Sequence, residues 1–462
     1  MKALNLSREG GKTMKKRFAF TVSVSWMALL SLSYFSLSWA QPTKLTVVTN
    51  LGVPAVLAEP DPLGSRSHIA IVTMHSDGNY LSGSNCIPLA QRGYRALCMN
   101  NQFTNNADNI EGFYQIAPTI ARGINHLRGL VGASGKVGIM GHSMGGPLMS
   151  FYQNAAENGP SACRGPQMIY PCPDEGLTNL PKADFVILRD SHGGWGFANL
   201  SYTDPAVIND NNPSRRRPQL DMYDPSNGYD PSTLSANYSD RFLRNFLDGQ
   251  SSRYNDHISL ALDRLAKIEA DQGDYTDDEP FIIPRADGAA RIWLPDLKLQ
   301  ERTRKPFKLL KDGVPPSVEK IHSVRVPDGR HEENESYATA LHSSVRKFLG
   351  KHAIRSSNWT VSEDNITGID WASSHTSTPF NVEGISVPLL ISQHSGHYFI
   401  VVGEIIYDHA KSADKELVFI YGANHGGSAC TQCAAYHGLP PFGDTQKVEW
   451  DYLHTWLAAR YP

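Results

Sequence analysis

A serine set between closely spaced glycines is the residue of this chain with the most recognisable chemistry. Residues 141–146 read Gly-His-Ser-Met-Gly-Gly, which fits the pattern Gly-x-Ser-x-Gly. The segment follows an apolar run that begins at Lys136 and precedes a helix-like stretch, Pro147 to Glu157. A serine held on a sharp turn between a strand and a helix needs neighbours with almost no side chain. The pattern predicts that Ser143 is a nucleophile and that the N–H of Met144 points at a developing oxyanion.

A serine hydroxyl is a poor nucleophile without a base, and the sequence offers one late in the chain. His425 follows the apolar run 416–421 and precedes two glycines, so its ring is predicted to lie on a turn at the carboxyl end of a strand. The other histidines are less suitable. His142 lies inside the serine turn, and His257, His322 and His375 lie in the polar middle of the chain.

The elements that must position these two residues alternate between short apolar runs and helix-like stretches. This alternation predicts an α/β fold with a mainly parallel sheet flanked by helices. The clearest helix is predicted from Phe113 to Leu130, where apolar residues recur at helical spacing. The predicted strands are His68 to His75, Tyr94 to Asn101, Lys136 to Ser143, Ala183 to Asp190, Val387 to Gln393 and Glu416 to Tyr421. The other predicted helices are Pro147 to Glu157, Ser239 to Leu247, His257 to Asp271, Gly403 to Ser412 and Val448 to Arg460.

Composition divides the chain into a core and an insertion. Residues 200–384 are rich in Asp, Asn, Pro, Ser and Tyr and contain few apolar strand-like runs. A segment of this length between two strands is most simply a cap, or lid, over one end of the sheet. We therefore predict that residues 41–199 form the first part of the core, 200–384 a large cap insertion, and 385–462 the last part of the core.

On these residues the chain resembles the α/β-hydrolase superfamily, and in particular its secreted esterases and lipases. The resemblance covers roughly 66–199 and 385–462, and its specific parts are the serine turn and the Gly-Ala-Asn-His-Gly segment at 422–426. It implies a second oxyanion donor in the loop after an early strand. Ser76 stands where glycine is frequent in that loop, and its backbone N–H is the candidate, while His75 is expected to brace the loop.

The acid that orients the histidine is the least determined member of the triad. In the superfamily the usual carboxylate position, counted forward from Pro388, falls here on His397, which cannot serve as a carboxylate. Asp190 ends the strand one earlier than usual, a placement similar to that in some lipases, and its order between Ser143 and His425 fits. Glu404 is the alternative, although a glutamate there could equally be a favourable charge in the first turn of a helix. Asp190 is the preferred acid.

The sequence gives no indication of a cofactor or a macromolecular partner. No nicotinamide, flavin or nucleotide fingerprint is present, and a metal site built from His192, His394 and His397 is not needed by a serine hydrolase. The net charge of −3, without long basic runs, gives no electrostatic reason to expect nucleic acid or an anionic membrane surface. The expected partner is a small-molecule ester substrate.

The N-terminal segment and the cysteines indicate export. A basic cluster at Lys15-Lys16-Arg17, an apolar run and the small-residue pattern at Ser38-Trp39-Ala40 predict that residues 1–40 are a cleaved signal peptide, without stable membrane insertion afterwards. Six cysteines fall into local pairs, Cys86 with Cys98, Cys163 with Cys172 and Cys430 with Cys433. Disulfide bonds are expected in a secreted or periplasmic protein, although Cys98 could instead be a buried thiol.

Together these patterns predict a secreted serine hydrolase that cleaves a carboxylic ester or lactone through an acyl-enzyme. An amidase or peptidase would use the same triad. A binding module on a hydrolase scaffold that has lost activity is the alternative from another class, although both Ser143 and His425 are retained here.

Overall fold

A ten-stranded sheet organises the part of the chain that the computed structural model describes, residues 41–103, 110–173, 175–329 and 339–462. The predicted signal peptide, residues 1–40, lies outside the described residues. The strands are β1 (Thr43–Val48), β2 (Ala55–Pro60), β3 (Ile69–Thr73), β4 (Arg95–Met99), β5 (Lys136–His142), β6 (Val186–Arg189), β7 (Tyr229–Asp230), β8 (Ser235–Ala236), β9 (Pro280–Ile283), β10 (Arg302–Lys311), β11 (Val314–His322), β12 (Leu341–Ser344), β13 (Arg355–Val361), β14 (Ile366–Asp370), β15 (Leu389–His394) and β16 (Lys415–Ile420). The α-helices are α1 (Ile87–Ala90), α2 (Ala117–Val131), α3 (Gly145–Asn158), α4 (Trp195–Tyr202), α5 (Asp240–Glu269), α6 (Val345–Lys347), α7 (Thr378–Asn381), α8 (Ile400–His409), α9 (Thr431–His437) and α10 (Thr445–Arg460).

The strand order of the central sheet is β1-β2-β4-β3-β5-β6-β15-β16-β10-β11. The seven strands from β4 to β10 in this order are parallel to their neighbours, while β1, β2 and β11 pair antiparallel at the two edges. The predicted fold class, a mainly parallel sheet flanked by helices, is therefore confirmed. Because the strands are parallel, the turns that follow β3, β5, β6, β15 and β16 meet at one edge of the sheet.

Helices cover both faces of the sheet, and each face has its own core. Side chains along the central strands alternate between the two cores, so that Ala70 and Val72 of β3 face one and Ile69 and Ile71 face the other. The first core is completed by apolar side chains of α2, α3 and α8. The second is completed by α1 and by α10, which contributes two tryptophans. This double burial explains why the central strands are apolar along their whole length.

The segment 200–384, predicted as a cap, is not uniform. Its strands β10 and β11 extend the central sheet beyond β16, and neither strand was among those predicted. The rest includes the C-terminal end of α4, the long helix α5, the short helices α6 and α7, and three two-stranded sheets, β7 with β8, β9 with β12, and β13 with β14. The boundaries of the cap stay a prediction.

Two predicted helices within this segment are one. Ser239 to Leu247 and His257 to Asp271 belong to the continuous helix α5, which runs for 30 residues from the N-cap Ser239. In its polar middle, Gln250 is fully buried and donates hydrogen bonds from its amide to the carbonyl oxygens of Ser201 and Thr203. Tyr254, one turn further on, is also fully buried.

The six cysteines form three disulfide bonds, Cys86 with Cys98, Cys163 with Cys172 and Cys430 with Cys433. These are the pairs that their spacing predicts, and Cys98 is not a free thiol. Among the described residues, no helix combines the length with the apolar character that crossing a bilayer would require.

Candidate active site

Ser143 lies on the turn between β5 and α3, in a backbone conformation that a serine rarely adopts. Its φ is +59°, in the left-handed region. The flanking glycines permit this turn because there is no space for a side chain on either. A Cβ at Gly141 would lie 2.0 Å from the carbonyl oxygen of Gly145, and a Cβ at Gly145 would lie 2.5 Å from that of Met74. The strained serine turn predicted from the motif is therefore present.

His425 follows β16 on a tight turn that points its ring at the serine. The turn is closed by a hydrogen bond of 3.1 Å from the backbone N–H of Ser428 to the side-chain Oδ1 of Asn424. Nε2 of His425 lies 2.9 Å from Oγ of Ser143. The backbone oxygen of His425 also contacts Nε2 of His142 at 2.7 Å, which ties this turn to the serine turn.

Asp190, which directly follows β6, contacts the other ring nitrogen of His425. Its Oδ2 lies 2.6 Å from Nδ1 of His425, and its side chain is fully buried. The backbone of Asp190 has a φ of +36° and its N–H donates to the carbonyl oxygen of Ser392 in β15, so the residue is fixed between two neighbouring strands. The structure thus brings the preferred acid into contact with the predicted base.

Glu404, the alternative acid, lies elsewhere. It is on α8, fully buried, and its carboxylate accepts hydrogen bonds from the backbone N–H groups of Arg304 at 2.7 Å and Lys305 at 3.2 Å. Burial raises the pKa of Glu404 above the usual range. This carboxylate joins α8 to the start of β10.

The charge of Asp190 is stabilised by the histidines around it. Burial alone would raise the pKa of this carboxyl, but His397 and His394 and the hydrogen bond from His425 outweigh burial and hold the pKa well below its usual range. Oδ1 of Asp190 also accepts a hydrogen bond from the N–H of His394 at 3.2 Å. The carboxylate is therefore ionised at neutral pH.

A second buried charge network supports the first from behind. Arg189 and Glu449 form a two-pronged ion pair with N–O distances of 3.0 and 2.5 Å, and both side chains are almost completely buried. His394 connects the two networks, because its Nε2 lies 3.1 Å from Glu449 and its Nδ1 lies 3.7 Å from Asp190. Burial lowers the pKa of His394, but these two carboxylates outweigh burial and raise it above the usual value. Sequence reasoning missed Arg189 and Glu449.

The loop after β3 lies against the serine turn, as the predicted oxyanion site requires. Ser76 is fully buried, and its carbonyl oxygen accepts a hydrogen bond from Asn101 at 2.5 Å. His75 braces the loop through Nδ1, which accepts from the N–H groups of Asp77 at 3.0 Å and Gly78 at 2.7 Å. Burial lowers the pKa of His75 to about 4, so the ring is neutral and can accept in this way.

A buried lysine adds to the same loop, and the sequence had given no sign of it. Nζ of Lys351 lies 3.1 Å from Asp77 and 4.6 Å from the centre of the Trp195 ring. The indole N–H of Trp195 lies 3.4 Å from Oγ of Ser76, whose hydroxyl donates to Asp77. These contacts hold Ser76 in place beside the serine turn.

The residues considered for a metal site do not converge on one point. Among the described residues, the set with ligand atoms within 4.8 Å of one another is Asp190, His397 and His425, not the set of His192, His394 and His397. Nδ1 of His192 instead accepts from the N–H of Gly194 at 3.1 Å. The rings of His397 and His425 are stacked 4.4 Å apart at 27°. An ion about 2.0–2.1 Å from both nitrogens and in both ring planes does not fit between stacked rings.

A cavity of about 740 Å³ opens beside His425. It combines apolar residues with polar ones, and the polar part of its lining includes Asp328, His397, Asn424, Ser428 and Gln432. Ser428 and Gln432 are exposed, so this side of the site is open to solvent.

The strand order and the site together define an α/β-hydrolase fold: a serine turn after a central parallel strand, followed along the chain by an aspartate and a histidine on the same sheet edge. No protein-family profile matches the sequence, and no curated protein matches it significantly.

Three solved structures with a similar arrangement are distant from this chain in sequence. The siderophore hydrolase EstB from Aspergillus fumigatus is 12% identical, with a TM-score of 0.43 over 91% of this chain and 98% of that one. A soluble variant of monoglyceride lipase from Saccharomyces cerevisiae is 12% identical, with a TM-score of 0.38 over 90% and 95%. Proline iminopeptidase from Mycobacterium smegmatis is 10% identical, with a TM-score of 0.36 over 90% and 98%. The assignment of the fold rests on the strand order and the serine turn of this chain.

Proposed function

We propose that this chain is a serine hydrolase that cleaves a carboxylic ester or lactone through an acyl-enzyme. The observation that supports this most directly is the unbroken row from Ser143 Oγ to His425 Nε2 at 2.9 Å and from His425 Nδ1 to Asp190 Oδ2 at 2.6 Å. Nucleophile, base and orienting carboxylate are each within hydrogen-bonding distance of the next.

In the proposed reaction Oγ of Ser143 attacks the substrate carbonyl carbon while His425 accepts the serine proton. The tetrahedral oxyanion is stabilised by the backbone N–H groups of Met144 and Ser76, which lie on the two adjoining loops. His425 then gives the proton to the departing alcohol oxygen as the acyl-enzyme forms. Water attacks the acyl-enzyme with the same histidine as base, and Asp190 stabilises the imidazolium in both halves of the reaction.

The leaving group is proposed to occupy the cavity beside His425. The departing oxygen must receive its proton from Nε2 of this histidine, and the cavity of about 740 Å³ borders the ring. Its mixture of apolar and polar lining suits an alcohol with hydroxyl or amide groups of its own. An amide would enter the same reaction, so the choice between ester and amide is made by assay.

The direct test is labelling and turnover of Ser143→Ala. We expect the substitution to abolish labelling by a fluorophosphonate probe and to lower kcat by about 10³-fold or more, since removal of a triad member has effects of that size. Ser259→Ala, which alters an exposed serine on α5, is the matched control and should retain labelling and activity. A panel of p-nitrophenyl esters, lactones and aminoacyl amides would identify the substrate class.

Two outcomes would contradict the proposal. Labelling that persists in folded Ser143→Ala would assign the reactive serine elsewhere. A folded wild-type protein that neither reacts with the probe nor hydrolyses any of the panel would favour the binding module.

Export to the periplasm or the cell exterior is proposed as well. It is supported by the signal-like segment 1–40 and by the three disulfide bonds, which persist in oxidising compartments.

A further inference from the structure

A second imidazole lies against the acid of the proposed triad. His397 follows β15, and its Nδ1 is 2.8 Å from Oδ2 of Asp190, the same oxygen that His425 contacts. The rings of His397 and His425 are stacked with centroids 4.4 Å apart. The ring of Phe399 lies nearly perpendicular to both, with centroid distances of 4.5 Å to His397 and 5.6 Å to His425. His397 therefore touches both partners of the pair that the proposed mechanism depends on.

The surroundings of His397 keep its ring neutral. Burial lowers its pKa to about 4, and the opposing effect of Asp190 does not offset this. The other titratable groups that act on it are His394 at the end of β15, His425 on the turn after β16, and His192 after β6. A neutral imidazole carries one N–H, and beside a carboxylate oxygen the nitrogen that carries it is favoured to be Nδ1.

The contact between His397 and Asp190 differs from that of His425. Nδ1 of His397 is close to Oδ2, but its N–H direction does not meet hydrogen-bond geometry, whereas that of His425 does. It is a short contact between the ring and the carboxylate charge, and His425 keeps the hydrogen bond to Oδ2. Of the two histidines, His425 is therefore the one that makes the hydrogen bond to Asp190.

We propose that His397 is a positioning residue, which limits rotation of the His425 ring by stacking and tempers the basicity of Asp190 by its N–H dipole. The proposal rests on the proposed function, since it concerns how the triad is tuned. It also explains why a histidine stands at the position where the superfamily usually has the acid. With Asp190 on the preceding strand, that position is free to hold a neutral ring against the base.

Two substitutions separate the two effects. His397→Phe keeps a ring that can stack and removes the N–H from Asp190. Without the N–H of His397, the negative charge of Asp190 interacts more strongly with His425, which favours the imidazolium form of His425. The acidic limb of the kcat/KM profile should therefore move to higher pH by about 0.5–1 unit. His397→Asn keeps a donor and removes the stacked ring. It should lower kcat by about tenfold with little change in KM or in the acidic limb.

Matched controls show whether the effect passes through the acid. His322→Phe alters an exposed histidine of β11 and should leave the pH profile unchanged. In an Asp190→Asn background, His397→Phe should cause no further change in the residual rate, because the group through which it acts is absent. If His397→Phe instead lowers the rate in the Asp190→Asn background as much as it does in the wild-type chain, His397 matters only for packing and the proposal is overturned.

Proton NMR of the full chain gives a measurement that does not depend on turnover. The Nδ1 proton of His425 in its hydrogen bond to Asp190 should give a low-field signal, which shifts in His397→Phe and not in His322→Phe. An unshifted signal together with an unshifted pH profile would refute the proposal, and so would a wild-type kcat in folded His397→Asn. If Ser143 proves unreactive, the proposed function fails, but this signal still reports whether His397 acts on the Asp190–His425 contact.

Discussion

Substitution of the two candidate acids separates a residue that acts in chemistry from one that stabilises the fold. In Asp190→Asn the side chain keeps its shape but loses its charge, and it can present an N–H to His425 in place of an acceptor. At 2.6 Å, and with an effective dielectric constant of about 20, a pair of unit charges interacts by roughly 6 kcal/mol. A kcat loss of about 10⁴-fold corresponds to about 5 kcal/mol. We therefore expect kcat to fall by about 10⁴-fold.

Glu404→Gln should have the opposite profile. The carboxylate accepts two backbone N–H groups at the start of β10, so the amide loses acceptor capacity and its charge. Hydrogen bonds to a charged group contribute about 1.5–3 kcal/mol, and we expect a loss of stability of that order with kcat within about threefold of wild type.

The assay is kcat for the best ester of the panel at saturating substrate, with thermal melts to establish that each variant is folded. The decisive quantity is the ratio of kcat between the two variants. Near-normal kcat in Asp190→Asn, with a large loss in Glu404→Gln, would refute the assignment of the acid and the electrostatic reasoning behind it.

Two further predictions concern the rest of the chain. Mass spectrometry of the unreduced protein from its native compartment should find at least two of the three disulfide bonds, and six free thiols would contradict both pairing and export. Glu449→Gln should lower the free energy of unfolding by about 3–5 kcal/mol, because it leaves Arg189 buried without its ion-pair partner. Asp414→Asn, which removes the partly exposed partner of Arg460, should cost no more than about 1 kcal/mol and is the control. Although burial raises the pKa of Glu449, Arg189 and His394 outweigh it and hold this pKa well below its usual range. The stabilisation is therefore present above about pH 4 and is lost on acidification, so Glu449→Gln should flatten the acid branch of the stability curve. A fully folded Glu449→Gln with wild-type stability would show that the pair contributes nothing.

The serine turn, the position of His425 at the end of a strand and most of the sheet could be predicted because their signals are local. The turn at Ser143 depends on glycines two residues away on either side, and the central strands are marked by continuous apolar runs. His425 follows such a run directly. Each predicted strand of this part is present, with ends that differ by a few residues.

The acid could not be decided because it depends on which strands are neighbours. Asp190 and Glu404 both come soon after a buried apolar strand. Asp190 reaches His425 because β6 lies beside β15 and the N–H of Asp190 bonds to Ser392. Nothing in the local sequence around Asp190 or Glu404 predicts that β6 and β15 are neighbours. The contact of His397 with the acid is equally a product of three turns meeting at one edge.

The hairpin of β10 and β11 was missed because its residues are charged and include prolines, as at Pro306 and Pro315. Such residues are typical of a sheet edge, where one side of the backbone needs no partner. A local signal did exist. Asp312-Gly313, with Gly313 at a φ of +68°, is the two-residue connection expected of a tight hairpin.

That hairpin limits how the middle of the chain can be exchanged between enzymes of this fold. Lys308, Leu309 and Leu310 pair in parallel with Val418, Phe419 and Ile420 on the strand that leads to His425. A chimaera that replaced 200–384 as one cassette would strip this strand of its neighbour and expose a row of unpaired backbone groups, which is a template for aggregation. Domain grafting must therefore treat the segment as two separate inserts, one on each side of 302–322, with the hairpin left in the recipient.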